Sequence, residues 1–64
     1  MVTVNGKELD VSGKTVSELL EMENYSPVQV AVELNYEILP KAKYVQTILK
    51  DCDIVEIVRF VGGG

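Results

Sequence analysis

A tight hairpin followed at once by a capped helix is the feature that most constrains the fold of this 64-residue chain. Val2-Thr3-Val4 alternates as a strand does, and Asn5-Gly6 supplies two residues that tolerate the positive φ of a two-residue turn. Leu9 and Val11 share one face of the returning strand, and Thr15-Val16-Ser17-Glu18 fits a capping box. A helix placed directly after a hairpin can bury its apolar stripe only across the sheet.

The helix is predicted to run to about Asn24, before Ser26-Pro27. Its apolar stripe packs inward and its acidic side stays solvated. The inward residues are Val16, Leu19 and Leu20, and the solvated residues are Glu18, Glu21 and Glu23.

The second half of the chain predicts three more strands. The clearest runs from Val28 to Leu34, a short one at Ile38-Leu39 stops at Pro40, and the last runs from Ile54 to about Phe60. The last strand is rich in β-branched residues, so we place it centrally and parallel to the first. Between Pro40 and this strand the chain is weakly helical at best, with Tyr44, Ile48 and Leu49 as core anchors. The predicted fold class is α+β, a roll in which one main helix packs across a mixed sheet.

Composition excludes several functional classes. The chain has one cysteine and no histidine, which excludes an intramolecular disulfide, a Cys/His zinc site and Ser-His-Asp or Cys-His catalysis. The net charge of −4, with six scattered Lys and Arg residues, argues against nucleic acid as a partner. No apolar run approaches the ~20 residues of a membrane helix, and no signal peptide is recognisable. We therefore expect no metal, no nucleic acid, no membrane contact and a cytoplasmic location.

The chain ends in Gly62-Gly63-Gly64, directly after the last strand. Three terminal glycines cannot pack a core and have the highest ordering entropy of any residue, so we expect a domain over 1–61 and a flexible tail over 62–64. Four extended residues reach roughly 13 Å, enough to thread a narrow channel and present a carboxylate to an enzyme. This geometry predicts a carrier whose C-terminus reacts at Gly63 and Gly64; a frayed terminus is the simpler alternative.

A docking surface is predicted next to this tail. If Val55 and Ile57 point inward, alternation sends Glu56, Val58 and Phe60 to the open face of the sheet, and Ala31 joins them from the neighbouring strand. Apolar side chains exposed beside a mobile tail are typical of a docking surface, to which we add Gly62. The alternative is that Phe60 only covers the edge of the core.

The order of elements and the glycine end together resemble the ubiquitin-like β-grasp proteins, and most closely the ThiS family of sulfur carriers in thiamine biosynthesis. The likeness covers essentially the whole chain. It is carried by Val4-Asn5-Gly6, Thr15-Val16, Leu19-Leu20, Val30-Ala31-Val32-Glu33-Leu34-Asn35, Ile38-Leu39-Pro40-Lys41, Asp51-Cys52-Asp53-Ile54-Val55-Glu56-Ile57 and Val61-Gly62-Gly63-Gly64. Two residues depart from the family pattern: Cys52 stands where glycine is usual in an acidic turn, and Tyr36 replaces a common glycine after Asn35.

The resemblance implies that the chain is a co-substrate rather than an enzyme and binds no cofactor itself. An E1-like adenylyltransferase would use ATP to join Gly64 to AMP, and sulfur from a cysteine desulfurase would convert the product to a thiocarboxylate. Thiazole synthase would then receive the sulfur. Cys52 is interpreted as a turn residue rather than a sulfur relay, because nothing basic lies beside it. Asp51 and Asp53 are too few for a calcium loop, and Lys41 and Lys43 could meet an acidic partner.

Three other functions fit the same residues. The small subunit of molybdopterin synthase shares the tail but is usually longer. A ubiquitin-like modifier of protein lysines begins with the same adenylation, so the sequence separates it poorly from a sulfur carrier. A plain β-grasp interaction module with an incidental tail is the fourth possibility.

Overall fold

Five strands form one mixed sheet with a single α-helix in the computed structural model, which describes residues 1–60. The order across the sheet is β2-β1-β5-β3-β4, with β5 parallel to β1 and antiparallel to β3. The predicted α+β fold, the order of the elements and the central position of the last strand are confirmed. The elements are β1 (Val2–Val4), β2 (Lys7–Leu9), α1 (Val16–Met22), β3 (Val30–Leu34), β4 (Glu37–Leu39) and β5 (Ile54–Arg59), with 3-10 turns at Pro27–Gln29 and Lys41–Lys43.

Both hairpins turn through two residues of positive φ, the geometry that matches the right-handed twist of paired strands. Asn5 (φ 49°) and Gly6 (φ 83°) join β1 to β2 as predicted. Asn35 (φ 52°) and Tyr36 (φ 70°) join β3 to β4. Tyr36 therefore occupies a left-handed conformation in which its side chain is strained and a glycine would not be.

Helix α1 begins and ends where its capping residues place it. The Thr15 hydroxyl accepts from the Glu18 N–H at 3.1 Å, and the Glu18 carboxylate accepts from the Thr15 N–H at 2.8 Å, so the predicted capping box is present. At the other end Asn24 has a φ of 62°, and the Tyr25 N–H donates to the Leu20 carbonyl at 2.8 Å. This left-handed residue stops the helix and turns the chain back toward the sheet.

The core lies between α1 and the inner face of the sheet. Burial of the apolar side chains there is the main favourable contribution to folding, at about 25 cal/mol per Å² removed from water. The buried residues are Val2, Val4, Val11, Val16, Leu19, Leu20, Val30, Val32, Tyr44, Leu49, Val55 and Ile57.

The predicted extent of the third strand was wrong at its start. Pro27 opens a 3-10 turn over Pro27–Gln29, so β3 begins only at Val30, and Val28 is 75% exposed. The fixed φ of proline favours this turn geometry, and the strand alternation cannot extend back through it.

The predicted core anchor Ile48 was also wrong, whereas Tyr44 and Leu49 are buried as expected. The weak helix predicted here is limited to the 3-10 turn at Lys41–Lys43. The following residues extend and pair with the loop before α1, through the Leu49 N–H to the Lys14 carbonyl at 2.8 Å and a bridge between Thr15 and Ile48. Alternation in this extended segment turns Leu49 inward and leaves Ile48 57% exposed.

No helix within residues 1–60 is long and apolar enough to cross a membrane; the single α-helix there has seven residues.

Candidate functional site

The open face of the sheet, opposite α1, brings together the apolar residues predicted for docking. Ala31 of β3 and Val58 of β5 are register partners, and they alternate with the buried residues Val30, Val32 and Ile57. Val58 is 58% exposed and Phe60, one residue beyond β5, is 56% exposed. The predicted outward orientation of Val58 is confirmed and Phe60 is exposed as expected, while docking itself stays a prediction.

The end of β5 is fixed to its surroundings at its last two described residues. The Phe60 N–H donates to the Gln29 carbonyl at 2.9 Å. The Arg59 guanidinium lies 4.7 Å from the centre of the Tyr25 ring, a cation–π contact with the segment that follows α1. Arg59 and Phe60, which precede the glycine segment (residues 62–64), are therefore held by contacts with Tyr25 and Gln29.

Lys41 also contacts the residue that follows β5. Its ammonium donates to the Pro27 carbonyl at 3.0 Å and to the Val30 carbonyl, and it lies 5.4 Å from the Phe60 ring and 5.8 Å from the Tyr44 ring. One cation thus ties together the 3-10 turn before β3, the start of β3 and the residue after β5. Contact between Lys41 and an acidic partner stays a prediction. Two of the three N–H donors of its ammonium are already used by carbonyls of the chain itself.

Both hairpin asparagines bind the central strand through their side-chain amides. Asn5 Oδ1 accepts from the Ile57 N–H at 2.8 Å, while Asn35 Oδ1 accepts from the Ile54 N–H at 2.9 Å. Asn5 Nδ2 also donates to the Ile57 carbonyl at 3.3 Å. These bonds make the position of β5 depend on both hairpins.

The acidic turn before β5 is held by internal contacts. Asp51 accepts from the Met1 ammonium and from Ser12 Oγ at 2.6 Å, and the hydrogen bond from the ammonium is the main cause that lowers the pKa of Asp51. Asp53 accepts from the Lys50 N–H at 2.9 Å and from Asn35 Nδ2 at 3.1 Å. The two carboxylates therefore have structural partners, and no group of three or more metal-ligating side chains occurs within residues 1–60.

Cys52 is an exposed free thiol at the tip of this turn, with a φ of 74°. Its N–H donates to the Met1 carbonyl at 2.8 Å, so the backbone of the turn is fixed to the start of the chain. This backbone conformation favours glycine, so the Cys52 side chain is strained there. The turn lies before β5, whereas the glycine segment lies after it.

A groove of about 390 Å³ lies beside α1, lined by Ser17, Glu18, Glu21, Tyr25 and Pro27. None of the residues predicted for docking or reaction lines it. The predicted reaction residues Gly63 and Gly64, together with the docking residue Gly62, lie outside the described residues.

The sequence is also similar to a known protein family. The model of the ThiS family matches residues 2–64. The chain belongs to the ThiS family. The match spans nearly the whole chain, and the predicted family is confirmed.

Individual relatives agree with this ThiS assignment. The sulfur carrier protein ThiS of Bacillus subtilis is 43% identical over 68 residues, which cover the whole of both chains. A crystal structure of the thiamine biosynthesis protein ThiS from Geobacter metallireducens matches with a TM-score of 0.79 and 39% identity, over 98% of this chain and 97% of that one. Sulfur carriage in thiamine biosynthesis, the function predicted from the sequence, is confirmed at the level of the family.

Another relative is a much longer protein, and it is named as a thiazole synthase. A thiazole synthase of Paramagnetospirillum magneticum is 44% identical over 64 residues, which are 98% of this chain but 20% of that protein. The chain described here thus spans about a fifth of that relative and the full length of the Bacillus carrier.

Two features of the site were missed by reasoning from the sequence. For Lys41 the sequence suggests only contact with an acidic partner, and nothing in its sequence context signals its two carbonyl acceptors. The second feature is that Glu33 and Glu56 lie opposite each other on the open face. Strand alternation placed Glu56 there, but the pairing needed the register of β3 against β5.

Proposed function

We propose that this chain carries sulfur as a thiocarboxylate on Gly64 for thiazole formation in thiamine biosynthesis. The observation that carries the proposal is full-length similarity to a sulfur carrier, combined with a central strand that is anchored on both sides and leads directly into the glycine segment. Fully extended, the four residues 61–64 span roughly 13 Å. Their length would let the carboxylate reach an active site while the domain stays docked outside.

A carboxylate is a poor electrophile, so the chemistry must begin with activation. In the proposed sequence an adenylating partner joins a Gly64 carboxylate oxygen to the α-phosphorus of ATP and releases pyrophosphate. A sulfur nucleophile from a cysteine desulfurase then attacks the carbonyl carbon, and AMP leaves with the electron pair of the broken C–O bond. If the nucleophile is a persulfide of the desulfurase, the product is an acyl disulfide; a thiol then attacks the desulfurase sulfur, forms a disulfide with it, and the thiocarboxylate leaves with the electron pair of the broken S–S bond. Free sulfide as the nucleophile gives the thiocarboxylate directly. A side chain at Gly63 or Gly64 would crowd this carbonyl, which supports the assignment of both glycines.

The chain acts in this proposal as a co-substrate. It has no histidine to serve as a general base, and its only thiol belongs to the turn before β5. Activation, with ATP as the partner's substrate, and sulfur transfer are therefore assigned to other proteins. A thiazole synthase that includes a stretch similar to this whole chain supports thiazole synthase as the protein that receives the sulfur.

Intact mass spectrometry tests the proposal directly. The chain is incubated with ATP, sulfide and the adenylating enzyme of the source organism, and the mass is compared with that of a variant lacking Gly64. We expect the full chain to gain the mass difference of sulfur for oxygen and the truncated chain to remain unchanged. Normal sulfur loading of the truncated chain, or conjugation to lysines in place of loading, would contradict the proposal.

A further inference from the structure

Two glutamates oppose each other in the middle of the open sheet face. Glu33 of β3 and Glu56 of β5 are register partners in an antiparallel pair. Their neighbours Val32, Val55 and Ile57 are buried, so alternation directs both carboxylates away from α1. Directly opposed like charges destabilise a sheet, and side chains at such positions lie close enough to interact.

None of the strand positions on this face within residues 1–60 carries a basic side chain; the cation Lys41 contacts the Phe60 ring, beyond the end of β5. Neither carboxylate has an ion-pair partner within residues 1–60, since the one salt bridge in that part of the chain joins the Met1 ammonium to Asp51. Alternation directs Arg59 to the helix side of the sheet, over Tyr25. The open-face positions of the five strands are Thr3, Glu8, Ala31, Glu33, Ile38, Ile54, Glu56 and Val58.

Apolar side chains flank the glutamate pair on both sides. Ile38 is the register partner of Glu33 on the edge strand β4 and is 77% exposed. On the other side Val58, 58% exposed, pairs with Ala31. The face therefore combines a central unpaired negative charge with apolar contact area. A partner surface with a cation at its centre and apolar groups around it would be complementary to this face.

From this arrangement we propose that Glu33 and Glu56 together bind one arginine side chain of thiazole synthase, with Ile38 and Val58 in apolar contact around it. The inference rests on the proposed sulfur-carrier function, and thiazole synthase is chosen as the partner because a protein of that name includes a stretch similar to this whole chain. A guanidinium presents five donors in a planar fork, so a single arginine can bond to two carboxylates at once. The opposed charges that disfavour the free sheet are compensated only when the partner is bound, so they serve recognition at the expense of stability.

A second copy of the chain is a poor occupant for the same face. Two identical faces brought together would set glutamates against glutamates, and each chain has a net charge of −4. Nucleic acid is disfavoured by the same charge. The face is complementary to a basic protein surface.

The test measures stability and binding on the same variants. Glu33→Gln and Glu56→Gln remove one charge each and keep the shape of the side chain, and Glu23→Gln at the end of α1 removes the same charge away from this face. Each variant is titrated by calorimetry against thiazole synthase of the source organism at low and high NaCl concentration. Thermal melts of the free variants accompany the titrations.

We expect Glu33→Gln and Glu56→Gln to melt at or above the wild-type temperature and yet to bind about tenfold more weakly, with a smaller salt dependence. Glu23→Gln should bind as the wild type does. Wild-type affinity in both face variants, equal weakening by Glu23→Gln, or no binding of the wild type to thiazole synthase would overturn the inference. A wild-type dimer that the face variants dissociate would assign the face to a second copy instead.

Sulfur loading by the adenylating enzyme is measured in parallel on the same proteins. If the wild type loads sulfur but the face variants bind thiazole synthase normally, only the role of the glutamate pair fails. If the wild type does not load sulfur, the proposed function fails.

Discussion

The ammonium of Lys41 lies 5.4 Å from the centre of the Phe60 ring while it donates to the Val30 and Pro27 carbonyls. One side chain thereby connects the end of the central strand to two segments that precede it by about thirty residues. Through this contact Phe60, the last described residue before the C-terminal glycines, is held against the folded domain.

Replacing Lys41 with methionine should loosen this connection. Met keeps an unbranched apolar stem but loses the charge, both hydrogen bonds and the cation–π contact, so we expect a loss of about 1 kcal/mol, or a melting temperature about 4–8 °C lower. The kcat/KM for sulfur loading should fall as well. Lys43→Met is the matched control, because the exposed Lys43 side chain has no such contacts within residues 1–60. Equal melting and loading of the two variants would show that the Lys41 contacts do not matter.

Cys52→Gly should stabilise the fold by a few tenths to about 1 kcal/mol. Its φ of 74° strains a side chain but not a glycine, and the greater entropy of glycine in the unfolded chain offsets part of the gain. Thermal melts of the wild type and Cys52→Gly measure the difference. Sulfur loading should be unchanged in Cys52→Gly and in Cys52→Ser. A Cys52→Ser variant that folds normally but no longer loads sulfur would show that the thiol has a chemical role.

Phe60→Ala and Val55→Ala should separate docking from folding. Phe60 is half exposed, and loss of an aromatic anchor at an interface costs about 2 kcal/mol, a roughly thirtyfold loss of affinity. Val55 is fully buried, so truncating it should destabilise the fold by about 2 kcal/mol and leave the affinity of the folded protein intact. Calorimetry with the adenylating enzyme beside thermal melts checks both. Normal binding by a strongly destabilised Phe60→Ala variant would contradict the docking role.

Acid should weaken the capping box of α1. The bond from the Thr15 backbone N–H holds the pKa of Glu18 below its ordinary value of 4.5. A group whose pKa is lower in the folded state stabilises the fold above its unfolded pKa, and this contribution disappears as pH falls through the folded pKa. Melting temperatures of the wild type should therefore fall between about pH 5 and pH 3 more steeply than those of Glu18→Gln. Parallel curves for the two proteins would show that Glu18 contributes nothing to the acid sensitivity.

The Thr15 hydroxyl contributes to the same cap independently of pH. Thr15→Ala should cost about 1 kcal/mol at neutral pH, because the Glu18 N–H then loses its acceptor. Thermal melting at pH 7 measures this cost, and Ser17→Ala within the helix is a control that leaves the capping box unchanged.

Local signals in the sequence determined the order of the elements, both ends of α1 and the inner and outer residues of β5. These features depend on contacts between residues near one another in the chain, such as Thr15 with Glu18, or on strict alternation, as with Val55 and Val58. The same signals misplaced Val28 and Ile48. Val28 is misplaced because Pro27 opens a 3-10 turn there. Ile48 is misplaced because pairing with residues before α1 decides which side chain turns inward.

Only the tertiary structure decided what the open face and the end of β5 present to a partner. The opposition of Glu33 and Glu56 depends on the register of strands that are twenty residues apart in the chain. The hydrogen bonds between Asn5 and Ile57 and between Lys41 and Val30 join still other segments. Such contacts arise when the apolar faces of all strands are buried together, so no local pattern encodes them. The reaction proposed for the glycine end is predicted from the sequence alone, because it rests on the identity of the glycines and not on their environment.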